Sequence, residues 1–203
     1  IKFDRFASRF TSDLTAQADA GSSPIASVLP KDDPFVVLGS VRKEEEHQVL
    51  TLIRTLLAER PQICIGLFPR HMHRVLAWEK ILHQAGIPWA PRSRLSTPIK
   101  SGSVILWDRF GELEQAYGLA QAVFVGGGLA PKGGQNFLEP LAHGRIPVIG
   151  PDWSNFAWVG QEIVNEGLVK VGSCVADVVR ELVALLDSHP DHGHVREQTA
   201  AYV

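Results

Sequence analysis

Short apolar runs alternate with segments of helical period along most of this chain, and that alternation admits few folds. Phe35-Val36-Val37-Leu38, Ile63 to Phe68, Val104-Ile105-Leu106, Ala122 to Val125, Ile146 to Ile149 and Leu168 to Val171 have the length and composition of strands. Between them the spacing predicts helices over Glu44 to Glu59, His73 to Ala85, Gly111 to Leu119, Phe137 to His143, Phe156 to Glu166 and Ala176 to Leu186. Strand and helix in turn mean crossover connections. The expected fold is therefore α/β, a doubly wound, mostly parallel sheet with helices on both faces. Ahead of the pattern, a helix over Phe6 to Asp19 and a breaker-rich connection from Gly21 to Pro34 are expected. There is no internal repeat and no low-complexity tract.

A chain of 203 residues, 45% hydrophobic and 21% charged, can bury a full core as one such domain. Its formal charge of -2 and pI near 6.5 give no global reason to expect nucleic acid, so any anion recognition is local. Cys64 and Cys174 form no CxxC pair, which speaks against structural zinc or a disulfide framework and fits a reducing compartment. No run of about 18 apolar residues is present, and Ile1-Lys2-Phe3-Asp4 lacks the layout of a signal peptide. Those first residues read as the tail of a strand and no methionine precedes them, so the chain is expected to be a domain of something longer.

The richest stretch is Gly126-Gly127-Gly128 followed by Gly133-Gly134-Gln135-Asn136-Phe137-Leu138-Glu139-Pro140. The triplet closes the Ala122 strand and so lies at its carboxyl end, where open α/β sheets bind ligands. Amides exposed along these glycines can hold an anion. Asn136 is placed to cap the helix that follows, and Glu139, one turn in, can face donors such as ribose hydroxyls. Two accounts fit: a nucleotide site, or a well-made helix entry. Consecutive glycines carry an entropic penalty that an ordinary turn does not need, which favours close approach of something to the backbone.

The other loops at the same edge are also polar: Pro69-Arg70-His71, Trp107 to Leu113, and Gly150 to Phe156. Arg70 is either a solvated arginine or a bidentate partner for phosphate. His71-x-His73 with Arg74 is a small basic cluster and a weak metal signal, since a third ligand is missing. Asp108, Glu112 and Glu114 suit a helix N-terminus, while the amides of Gly111, Glu112 and Leu113 offer another anion site. Ser40 reads as the cap of the first helix of the repeating pattern, with Glu44-Glu45-Glu46 in its first turn. His189, His192 and His194 read as a surface loop. No Gly-x-Ser-x-Gly and no P-loop lysine motif is found.

At these residues the chain resembles the bacterial 3-deoxy-D-manno-octulosonic acid (Kdo) transferases of lipopolysaccharide synthesis, specifically their C-terminal half. The likeness runs in fixed order through Lys2-Phe3-Asp4, Ser40 with Glu45-Glu46, and Pro69-Arg70-His71. It continues through Asp108 with Gly111-Glu112-Leu113, Tyr117-Gly118, Phe124 to Gly127, Gly133-Gly134 with Asn136 and Leu138-Glu139, Gly150-Pro151 and Asn155-Phe156. The resemblance implies a Rossmann-like C-terminal half of a GT-B fold that binds CMP-Kdo without a metal or other cofactor. Residues 1–34 would be its N-terminal helix and connection. A lipid A precursor, and membrane contact at the cytoplasmic face of the inner membrane, would belong to an N-terminal acceptor domain and the intact protein. By carry-over, CMP would be contacted by Pro69, Arg70 and His71, by Gly111, Glu112 and Leu113, and by Gly126, Gly127, Gly133 and Gly134 with Asn136, Phe137, Leu138 and Glu139. The implied reaction is an inverting-type sugar transfer whose general base lies in the other domain, so this half alone is expected to bind without transferring. The chain departs from the family pattern after Ser40, where Val41, Arg42 and Glu44 stand in place of Thr, His and Gly, and at Gln135, where histidine is common. The fold also leaves open another nucleotide-sugar donor, or a nucleotide-binding module without catalysis.

Overall fold

The computed structural model describes residues 24–200; the helix expected over Phe6 to Asp19 and the Ile1 to Asp4 strand tail lie outside them. Seven strands form one sheet: β1 (Phe35–Val41), β2 (Cys64–Pro69), β3 (Trp89–Pro91), β4 (Val104–Leu106), β5 (Ala122–Val125), β6 (Pro147–Ile149) and β7 (Lys170–Val171). Their spatial order is β3-β4-β2-β1-β5-β6-β7, and every pairing is parallel. Among the described residues the α-helices are α1 (Glu46–Glu59), α2 (Val75–Gln84), α3 (Leu113–Leu119), α4 (Leu138–Ala142), α5 (Glu162–Asn165), α6 (Val175–Ser188) and α7 (His192–Ala200).

Successive strand residues point to opposite faces, and the core divides accordingly. Val36 and Leu38 pack with α1, α2 and α6, among them Leu52, Trp78 and Leu182. Phe35 and Val37 pack on the other face with Tyr117, Phe137, Leu141 and Val195, from the segments around α3, α4 and α7. The sheet is doubly wound because both of its faces are apolar. In α6 the buried set Val178, Val179, Leu182, Leu185 and Leu186 repeats at helical spacing, so one stripe meets the sheet. Both cysteines are free, Cys64 buried and Cys174 exposed.

Three expectations need correction. The helix expected over Phe156 to Glu166 is broken: Gly160, at φ 95°, separates a 3-10 segment over Ser154–Val159 from the short α5. The edge strand β3 has no counterpart in the sequence reading, because Pro88 before it and Pro91 at its end look like turn signals. Proline is tolerated there since an edge strand needs fewer ladder donors. His192 and His194 belong to α7 rather than to a loop. Asp191 Oδ1 accepts the Gly193 and His194 amides at 2.8 and 3.3 Å, and Val195 and Thr199 bury one face. Arg145 clamps this helix to the body, donating to Gly118 O at 2.6 Å and contacting the His192 imidazole.

Strand β1 is central, with β2, β4 and β3 on one side and β5, β6 and β7 on the other. The strand order reverses between β1 and β5, which opens a crevice at their carboxyl ends.

Candidate functional site

The loops that leave the strands are laced together at this crevice by backbone bonds. Gly126 N donates to Gly39 O at 2.9 Å and Arg70 N to Val41 O at 2.8 Å, fixing the exits of β5 and β2 against β1. Gln135 N reaches Gly126 O at 3.0 Å, which folds the approach to α4 back over the end of β5.

Between the exits of β1, β2 and β4 lies a cavity of about 190 Å³. Phe68 and Trp107 stack beneath it with ring centroids 4.2 Å apart, Pro69, Met72, Gly111 and Leu113 add apolar walls, and Ser40, Arg70, Arg109 and Phe110 complete the rim. Pro69, Arg70, Gly111 and Leu113 are thus brought together as the sequence predicts. His71 is exposed and stacks on His73 rather than lining the cavity.

The Arg70 side chain leaves this rim toward α4, its Nε donating to Gln135 Oε1 at 2.9 Å. Asn136 follows immediately. Its Oδ1 accepts the Leu138 amide at 3.2 Å and its Nδ2 donates to Glu139 Oε1 at 3.0 Å, so the asparagine both starts the turn and holds the carboxylate. It stands one residue ahead of the formal cap position, which Phe137 occupies. Phe137 and Leu138 themselves are buried in the core, so any ligand contact they make is through the backbone.

The glycines have a different role from the one expected. The Gly126, Gly127, Gly133 and Gly134 amides all donate within the chain, to Gly39 O, Glu45 Oε1, Asp152 Oδ2 and Gly127 O. An anion would have to displace one of these. The close approach that demands glycine at position 126 is made by the protein itself: a Cβ there would strike the Glu45 carboxylate and lie 2.9 Å from Ser40 O.

Glu45 is the organiser that sequence reasoning missed. Fully buried, its Oε1 accepts the Arg42 amide at 2.9 Å and the Gly127 amide at 2.6 Å, tying the entry of α1 to the glycine loop. Burial pushes its carboxyl pKa upward, and the amides of Arg42, Gly127 and Leu129 work against that. Ser40, read as the cap of α1, lies within β1 instead, and the capping bond there comes from Glu45. The signal was present in the glutamate three residues after Arg42.

Glu112 also turns inward. Trp107 Nε1 donates to its Oε2 at 2.8 Å and Arg92 Nε at 3.0 Å, while Arg92 also reaches Pro24 O at 3.2 Å. Arg92 is 3% exposed, and its guanidinium carbon lies 5.9 Å from the Trp107 ring centre. Beside it, Asp108 Oδ1 accepts the Ser93 amide at 2.8 Å and Oδ2 accepts the Ser93 hydroxyl. The connection from β3 to β4 therefore braces the Gly111-Glu112-Leu113 turn from below, and the Glu112 side chain serves that brace.

The chain that carries this site has known relatives. The chain is 35% identical over 160 residues to the 3-deoxy-D-manno-octulosonic acid transferase of Haemophilus influenzae, covering 78% of this chain and 37% of that protein. Against the transferase of the same name from Chlamydophila psittaci it is 30% identical over 178 residues, 86% of this chain and 38% of the relative. A solved structure, the C-terminal CMP-Kdo binding domain of WaaA from Acinetobacter baumannii, superposes with a TM-score of 0.76 at 28% identity. That match covers 85% of this chain and 90% of that one. The chain belongs with the Kdo transferases. It corresponds to their C-terminal portion and has the parallel, helix-flanked sheet of a GT-B glycosyltransferase domain. It spans 37% and 38% of the length of those two transferases. No protein-family model matches it. Among the described residues no group of three His, Cys, Asp or Glu side chains is gathered, and no helix is long and apolar enough to cross a membrane.

Proposed function

We infer that this chain is the donor-binding half of a glycosyltransferase that moves Kdo from CMP-Kdo to a lipid A precursor. The observation that carries the reading is the meeting of Arg70 with the Gln135-Asn136-Glu139 segment beside an apolar slot. The slot floored by Phe68 and Trp107 suits a flat pyrimidine ring, which gains from stacking and from leaving water. Pro69, Gly111 and Leu113 hold its edges. Glu139, oriented by Asn136, accepts hydrogen bonds from ribose hydroxyls. Arg70 meets the phosphate with charge-assisted donors once Gln135 yields or shares it.

The scissile bond joins the anomeric carbon of Kdo to a phosphate oxygen, and CMP departs with the negative charge that develops there. A guanidinium already placed at that oxygen favours departure. The buried Glu45 and the glycines contribute by holding the β1 and β5 exits in register. The acceptor, the general base that takes the proton of its hydroxyl, and contact with the cytoplasmic face of the inner membrane are assigned to an N-terminal domain of the intact protein.

Competition calorimetry with CMP, UMP, UDP and ADP tests the donor. CMP binding tightest, with no gain from a second phosphate, is the expected order. Preference for UDP or ADP would reassign the donor class.

A further inference from the structure

Ser40 is one of two non-glycine residues in the described chain with a positive φ, at 56°, the other being His189 where α6 ends. A serine in this left-handed region bears a conformational penalty that glycine escapes. The helix end at His189 is a place where such geometry is common, but Ser40 lies within β1. It stands where β1 meets the strand-order reversal, lines the cavity beside Arg70, and adjoins Gly126 through its own carbonyl oxygen. A glycine directly precedes it, and a Cβ on Gly39 would collide with the Tyr117 hydroxyl.

That hydroxyl is fully buried against Gly39. Burial first, and the Glu139 carboxylate second, push the phenol well above its ordinary range, and the Ser40 side chain works in the opposite direction. Tyr117 therefore stays protonated. A strained residue persists only where its surroundings hold it there, and such residues gather at ligand sites.

We propose that Ser40 is a ligand-contacting residue of this site, its hydroxyl donating to the same phosphate oxygens that Arg70 neutralises. The proposal rests on the nucleotide reading above. It assigns a hydroxyl donor, retained in a strained backbone, to the anionic end of the ligand rather than to helix capping.

Calorimetry of the 203-residue chain with CMP and with cytidine, for wild type, Ser40→Gly and Ser40→Ala, tests it. Both variants are expected to lose about tenfold or more in CMP affinity while binding cytidine as wild type does. Ser40→Gly, relieved of the left-handed penalty, is expected to melt at or above the wild-type temperature. CMP affinity unchanged in both variants overturns the proposal, and so does equal loss for CMP and cytidine, which would mark a structural role. Wild type that binds cytidine and CMP alike leaves no phosphate contact to assign and also overturns it. Wild type that binds neither overturns the nucleotide reading itself.

Discussion

Arg70 Nε donates to Gln135 Oε1 at 2.9 Å, joining the exit of β2 to the approach of α4 across 65 positions of sequence. Arg70 is exposed, so this bond adds little to stability; side-chain bonds at the surface are worth about 0–1 kcal/mol. Its consequence is orientation. The guanidinium is held beside the segment whose next members, Asn136 and Glu139, are themselves bonded to each other at 3.0 Å.

Removing Arg70 is accordingly expected to weaken CMP binding by roughly 10- to 150-fold, the value of a hydrogen bond to a charged group. Gln135→Ala leaves the charge and removes only its tether, so its loss should be under about tenfold, with the melting temperature unchanged. Calorimetry on the two variants measures both effects. Equal losses would mean that the tether, not the charge, dominates.

Glu139→Ala should cost about tenfold for CMP and nothing for its 2′,3′-dideoxy analogue, because the carboxylate is assigned to ribose hydroxyls. The comparison is a double cycle between side chain and ligand. A loss of the same size for both ligands would remove Glu139 from the ribose.

Arg92 is expected to be the most costly charged residue to truncate. Its guanidinium is buried against Glu112 and Trp107, so Arg92→Ala leaves a largely buried carboxylate without its partner, a loss of about 3–5 kcal/mol in urea unfolding. Arg92→Lys should recover only part of this, since an ammonium cannot reproduce the fork. A loss under about 1 kcal/mol would show that the brace beneath the Gly111 turn is dispensable.

Much of the fold could be read because buried strands announce themselves: Phe35 to Leu38 and Ala122 to Val125 are apolar throughout and fall at the centre of the sheet. What was hidden depends on long-range bonds or on local sequence that looks like its opposite. The two prolines around Trp89-Ala90 imitate a turn, and polar α7 shows only Val195 and Thr199 as a buried face. At the site, Arg70, Gly111 and Asn136 stand in loops, and Leu113 and Glu139 in the first turns of α3 and α4, where sequence reasoning placed them. Glycine amides cannot be sorted by sequence into ligand donors and internal ones, and a backbone angle such as that of Ser40 has no signature in a serine. The Glu45 carboxylate acts on Gly127 across 82 positions, which no local pattern encodes.

Stability should fall with acid through one identifiable imidazole. Burial first and Arg145 second hold the His192 pKa below its ordinary value, so the unfolded chain takes up this proton more readily than the folded one. The contribution is complete above about pH 6.5 and is lost as pH falls below it. His192→Gln should flatten the pH dependence of the melting temperature in this window. An unchanged slope would place the acid response elsewhere.

The account stands most directly on an amide chemical-shift map of the isotope-labelled chain titrated with CMP. Shifts confined to Gly39 to Val41, Arg70, Trp107 to Leu113 and Gln135 to Glu139 are the predicted result. Saturable shifts that fall elsewhere, or none at millimolar nucleotide, would contradict it.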